Sequence, residues 1–234
     1  MDERLARRPD AIRTMFSGVS RRYDFLNRVL SLRRDVAWRH ELVAALVVAP
    51  AGAVLDVAAG TGDVALAVRD RFAVGADFCL EMLALALRKG ARQKERAAWV
   101  GADALALPFR ERSFAAVTVA FGMRNFVDVD AGLAEMRRVL VPGGVLAVLE
   151  FQRPTRAAPR FAAAAWDRLV VTPLGRLLSD EGDAYSYLPA SVTTFPAAAA
   201  LGERIRAAGF SAGAPRELSG GIAALTVARR EEGP

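Results

Sequence analysis

Leu55-Asp56-Val57-Ala58-Ala59-Gly60-Thr61-Gly62-Asp63 is the stretch that decides the fold. It joins an apolar run, AVLDVA at 53–58, to a segment with helical spacing, DVALAVRDRF, through a glycine-rich turn. An apolar run of that length closed by glycines marks a buried parallel strand. Gly60 and Gly62 let the backbone approach a ligand and take dihedrals that a Cβ would forbid. Extended to Ala65 the stretch fits Gly-x-Gly-x-x-Ala, a nucleotide-binding pattern when it lies between a strand and a helix.

Outward from this turn the alternation continues. AVGADF (73–78), AAWVGAD (97–103), SFAAVTVAFG (113–122) and VLAVLEF (145–151) read as strands two to five. EMLALALRKGARQK and DAGLAEMRRVL read as helices, the second closed by Pro142-Gly143-Gly144. A helix at about 197–208 and two strands near 213–218 and 221–228 complete the pattern, with turns at Gly209 and at Ser219-Gly220-Gly221. This rhythm predicts an α/β fold of the Rossmann-like type, a mostly parallel, seven-stranded, doubly wound sheet. Residues 9–48 precede the rhythm as a helical cap, and 155–190 interrupt it as a helical insert. The whole of 1–234 reads as a single domain.

Composition narrows the function. The hydrophobic fraction of 53% supports a sizeable core. One cysteine, Cys79, and one histidine rule out a disulfide framework and a zinc cluster, and suit a reducing cytoplasm. The charged N-terminus does not read as a secretory signal. The longest uncharged run, 42–55, is shorter than a membrane span and is broken by Pro50 and Gly52. The expected location is cytoplasmic, with peripheral contact at the inner face of the membrane. The net charge is +6 and almost wholly arginine, since only Lys89 and Lys94 are lysines. No basic run with interleaved aromatics suggests a nucleic-acid partner.

The ligand is chosen by the acids around the turn. Asp77, at the end of strand two, is placed to hold a ribose. A pyrophosphate, by contrast, would meet Asp63 at the helix start and Asp56 beneath it, at a cost of several kcal/mol for an effective dielectric near ~20. With Asp103 at the end of strand three, the rim reads as acidic. It suits a ligand with ribose, adenine and positive charge but no phosphate, namely S-adenosylmethionine, over a nicotinamide dinucleotide. Thr61, between the glycines, can offer its hydroxyl or N–H.

Further stretches resemble the menaquinone/ubiquinone biosynthesis C-methyltransferases. They are Tyr23-Asp24-Phe25-Leu26-Asn27-Arg28-Val29-Leu30-Ser31 with Trp38, Ala120-Phe121-Gly122-Met123-Arg124-Asn125, Arg138 to Gly144 running to Leu149-Glu150-Phe151, Asp183 to Leu188, and Leu218 to Leu225. The resemblance runs from about residue 14 to 229. Leu26, Asp35, Val141 and Gln152 depart from the usual pattern, and Ala120 stands where a serine borders the cofactor. The resemblance implies a class I S-adenosylmethionine-dependent methyltransferase fold. It implies that Gly60, Thr61, Asp77, Asp103 and Ala104 bind the cofactor, Asp77 through the ribose hydroxyls and Asp103 through the adenine amino group.

The implied reaction is C-methylation of a polyprenylated hydroquinone: demethylmenaquinol to menaquinol, or a methoxy-benzoquinol in ubiquinone biosynthesis. Such a reaction needs alignment and loss of a phenolic proton. Arg124 is expected to stabilise the phenolate, directly or through a water, Asn125 to orient a ring oxygen, and Tyr23 to bind the other oxygen or close the pocket. Apolar residues of the two caps, such as Phe16, Phe25, Phe161 and Trp166, would hold the isoprenoid tail. Arginines around them would favour an anionic membrane surface. A dehydrogenase, another methyl acceptor and a non-catalytic nucleotide-binding module are the alternatives. Oligomeric state is not legible.

Overall fold

The structure is a computed structural model that describes residues 28, 31–93, 97–154, 161 and 191–231. Its frame is a sheet of eight strands: β1 (Val54–Val57), β2 (Ala73–Asp77), β3 (Ala97–Gly101), β4 (Phe114–Ala120), β5 (Leu140–Phe151), β6 (Phe210–Ala212), β7 (Arg216–Leu218) and β8 (Ala223–Arg230). The order is β3-β2-β1-β4-β5-β8-β6, with short β7 paired to the other end of β8. Strands β1 to β5 run parallel, while β8 is antiparallel to β5, β6 and β7. The expected seven strands thus become eight. Phe210-Ser211-Ala212 was missed because three residues are too few to show a period.

The chain steps outward from β1 to β3 and then returns to lay β4 on the other side of β1. The crevice between β1 and β4 is therefore the switch point at which open α/β sheets bind ligands. The glycine turn follows β1, and Phe121-Gly122 follows β4.

Both faces are covered. Along β5, Leu146 and Val148 face a core shared with Leu133, Met136, Ile205 and Phe210, while Val145, Ala147 and Leu149 face one shared with Trp38, Leu42, Val64 and Leu225. Burial on both faces explains the continuous apolar runs. Among the described residues five α-helices flank the sheet: α1 (Arg34–Ala44), α2 (Asp63–Ala67), α3 (Leu80–Gln93), α4 (Val129–Val139) and α5 (Ala198–Ala207). Helix α4 starts where Asp128 accepts from the amides of Asp130 and Ala131 at 2.9 and 3.0 Å, an N-cap that satisfies two orphan donors. Its last turn carries Arg137 and Arg138, which suits the negative end of the helix. Helix α2 has five residues rather than the expected ten, because Val68 leaves it in an extended conformation and is buried. Strand β5 begins at Leu140, earlier than expected, with a register irregularity opposite Phe114 and Ala116.

Of the N-terminal cap, Arg28 and residues 31–48 are described, including α1. The insert, apart from Phe161, lies outside the described residues, as does Tyr23.

Candidate active site

A cavity of about 150 Å³ opens at the carboxyl ends of β1 to β4. It brings together Gly60 from the glycine turn, Asp77 from β2, Asp103 and Ala104 from the end of β3, and Phe121, Gly122 and Asn125 after β4. Five of the eight residues picked from the sequence therefore share one cavity: Gly60, Asp77, Asp103, Ala104 and Asn125.

Asp77 is the hub of its floor. Its Oδ2 accepts the Gly60 amide at 2.7 Å and its Oδ1 the Cys79 amide at 2.8 Å. Burial pushes its carboxyl above the ordinary value, while the amides of Cys79, Gly60 and Phe78 pull it back. A carboxylate has about four acceptor positions. Two amides leave room for vicinal hydroxyls such as those of a ribose. The same contact bears on the choice of ligand, because the Gly60 amide, which a diphosphate would need, is spoken for by Asp77. Asp103 is more exposed and steadies its own loop by accepting the Leu105 amide at 2.9 Å.

The expected acidic rim is narrower than the sequence suggests. Asp63 does not line the cavity. Its Oδ1 lies 2.6 Å from Lys89 and 3.8 Å from Arg28, and its Oδ2 lies 3.8 Å from Arg39. Against the upward push of burial, Arg39 and Lys89 hold its carboxyl below the ordinary value. Asp56 is buried beneath the turn. Burial pushes its pKa up to about 7, against the hydrogen bond it accepts from Thr118 at 2.8 Å. Neither acid supplies the negative field first expected of it. Asp77 and Asp103 are the acids that face the cavity.

Thr61 differs from expectation in direction. Its side chain is buried, and its Oγ1 accepts from Lys89 Nζ at 3.0 Å rather than lining the cavity. Lys89 and Arg39 were not picked from the sequence. Lys89 sits on α3 and Arg39 on α1, and only the packing of both against α2 brings them to one acid.

The wall after β4 is strained. Phe121 has φ 59° and Ala58, opposite it, has φ 55°. Left-handed backbone at residues with a Cβ costs of order 1–3 kcal/mol each and persists only where the surroundings impose it. A Cβ on Gly122 would come within 2.5 Å of the Ala58 Cβ, so glycine is required where β1 and β4 converge.

Arg124 corrects a direct role in the chemistry. Its guanidinium is turned into the protein, where NH1 meets Glu150 Oε1 at 2.7 Å and also donates to the Phe121 carbonyl. Only 6% of Arg124 is exposed, and it does not line the cavity. A guanidinium so placed sits behind the wall, not against a ring oxygen. Glu150, a carboxylate inside the apolar run VLAVLEF, was the available signal, since a charged side chain in such a strand needs a partner.

A Rossmann-like sheet with an acid and a glycine turn converging at its switch point is the architecture of the class I S-adenosylmethionine-dependent methyltransferases. Known proteins of this fold resemble the chain at low identity. An S-adenosylmethionine-dependent methyltransferase from Thermotoga maritima superposes with a TM-score of 0.63 at 18% identity, covering 93% of this chain and 100% of its own. The [4+2]-cyclase SpnF does so with 0.69 at 20% identity, covering 95% and 96%. The ubiE/COQ5 methyltransferase family model matches residues 4–230, and the chain belongs to that family. It is a methyltransferase that uses S-adenosylmethionine as methyl donor. A demethylmenaquinone methyltransferase from Thermus thermophilus is 44% identical over 220 residues, 92% of this chain and 100% of the relative.

Proposed function

We propose that the chain methylates a ring carbon of a polyprenylated demethylmenaquinol, giving menaquinol. The observation that carries the substrate is the 44% identity, over its full length, to a relative of that name. The cavity supports it, because Asn125 shares one enclosure with Asp77 and Asp103. When bound, S-adenosylmethionine supplies an electrophilic methyl on a sulfonium. Asp77 would hold the ribose hydroxyls and Asp103, with the Ala104 N–H, the adenine, while Gly60 would allow close approach to the turn and Thr61 would brace it through Lys89.

Asn125 orients a ring oxygen of the hydroquinone. As the phenolic proton passes to solvent, charge moves to the neighbouring ring carbon; that carbon would take the methyl as the methyl–sulfur bond breaks and S-adenosylhomocysteine leaves, and loss of the carbon's own proton to solvent with reprotonation of the ring oxygen would restore the hydroquinone. Alignment supplies most of the acceleration, since holding two reactants in register is worth ~7 kcal/mol or more. Tyr23, outside the described residues, would bind the second ring oxygen or close the pocket. Arg124 serves the wall from its buried side. The tail lies along the apolar caps, and the arginine-rich surface brings the enzyme to an anionic membrane where such a substrate resides.

The test is methyl transfer from labelled S-adenosylmethionine to demethylmenaquinol and to the corresponding methoxy-benzoquinol, both reduced. Faster turnover of the naphthoquinol is expected. Turnover of the benzoquinol alone would move the chain to ubiquinone biosynthesis.

A further inference from the structure

The buried ion pair behind the cavity wall has no part in the chemistry so far. Glu150 is the penultimate residue of β5 and is 1% exposed, and Arg124 lies in the short helical turn Met123–Asn125. Glu150 Oε1 accepts from Arg124 NH1 at 2.7 Å and from the Phe151 amide at 2.9 Å, while its Oε2 accepts the Arg124 amide at 3.2 Å. The guanidinium carbon stands 5.4 Å from the centre of the Phe151 ring. The carboxylate thus grips both the backbone and the side chain of Arg124.

The pair acts on a wall that needs holding. Phe121, in its left-handed conformation, donates its amide to the Leu149 carbonyl at 2.8 Å and has its own carbonyl bound by Arg124 NH1. Next in line, the Asn125 amide donates to the Gly122 carbonyl at 3.0 Å. Phe121 and Asn125 both line the cavity, the first three residues before Arg124 and the second immediately after it. Two apolar side chains could fill the same volume without the desolvation that a buried ion pair entails. What they could not supply is direction, since a planar guanidinium between a carboxylate and a carbonyl fixes angles as well as distances.

We propose that Glu150 is a positioning residue for methyl transfer, holding Arg124 so that Phe121 and Asn125 keep the wall beside the reacting carbon in register. This rests on the methyl-transfer role given to the cavity above. It differs in sign from a role for Arg124 as a source of positive charge. Glu150 offsets that charge, so neutralising it would strengthen the field on a phenolate and hold or raise turnover. If position is what matters, neutralising it lowers turnover.

The experiment compares wild type, E150Q and the pair replacement R124M/E150M. In E150Q, kcat is expected to fall by about tenfold or more, with both KM values and the Kd for S-adenosylhomocysteine within about threefold of wild type. In R124M/E150M the melting temperature is expected to stay near the wild-type value while kcat stays low. An E150Q enzyme with kcat at or above wild type overturns the proposal, as does a double variant that keeps both its melting temperature and its kcat. A wild type that methylates neither quinol removes the substrate reading alone. Glu150 is then judged by the backbone amide NMR signals of Phe121, Gly122 and Asn125 with S-adenosylhomocysteine bound. Displaced signals in E150Q support the proposal, and superimposable ones overturn it.

Discussion

At Asp77 one side chain organises a ligand site through two amides of its own backbone neighbourhood, those of Gly60 and Cys79. Asp77→Asn keeps the shape but loses charge and turns an acceptor into a donor facing an N–H. Affinity for S-adenosylhomocysteine is expected to fall about tenfold to a hundredfold, or ~1.4–2.8 kcal/mol, measured by titration calorimetry; unchanged affinity would remove Asp77 from the cofactor site. Asp56 makes a different prediction. Its folded pKa of about 7 lies above the ordinary 3.8, so the native state binds its proton more tightly than the unfolded chain. Stability from this group is full below pH ~4 and is lost as pH rises toward ~7, a change of a few kcal/mol at most. Asp63, held low, works oppositely and loses its contribution only as pH falls below ~4. Asp56→Asn mimics the protonated acid and still accepts from Thr118. Its melting temperature is expected to match wild type below pH ~4 and to exceed it increasingly toward pH 8; parallel curves would refute this. The sequence placed Asp77 and Asp103 at the cavity they do line, because their strand-end positions are local facts. It misread Asp63 and Asp56 because burial and the convergence of Lys89 and Arg39 are not.

The glycine turn shows how an element divides stability from binding. Gly62, at φ 81°, sits under the indole of Trp99 on β3, and a Cβ there would come within 2.3 Å of that ring. Gly60, at φ 54°, has nothing within 4 Å of the same added atom, and it faces the cavity. Gly62→Ala is expected to lose ~2 kcal/mol or more of stability, because both conformation and packing oppose it. Gly60→Ala is expected to lose about 1 kcal/mol from conformation alone while weakening S-adenosylhomocysteine binding by a larger factor. Thermal unfolding and calorimetry on both variants separate the two roles; equal losses in both assays would not fit this division. The parallel strands were legible because each is a continuous apolar run, sandwiched between two cores. The short α2 and the three-residue β6 were not, since an early helix exit at Val68 and an edge pairing with β8 are set by tertiary contacts. Arg124 and Asn125 were picked by family resemblance, yet only the fold reveals that Asn125 lines the cavity while Arg124 is buried behind it.

On the scale of the whole molecule, the question is how a carrier of net charge +6 meets a substrate with a long apolar tail. No helix among the described residues is long and apolar enough to cross a membrane. Several exposed arginines are matched by acids already counted in that total, Arg204 with Asp130 at 2.8 Å and Arg216 with Glu41 at 2.6 Å, so the surplus of +6 rests on the other basic residues. Exposed pairs of this kind contribute little energy but do cancel long-range field. The attraction of that net positive charge to anionic lipid decays within a Debye length of ~8 Å at physiological salt. The expected behaviour is therefore reversible association: flotation with vesicles containing anionic lipid at low salt, release at ~0.5 M salt, and no flotation with zwitterionic vesicles. Equal flotation with both lipids would point instead to insertion of apolar side chains, and the absence of binding to either, with reduced quinol present or not, would count against a membrane-borne substrate.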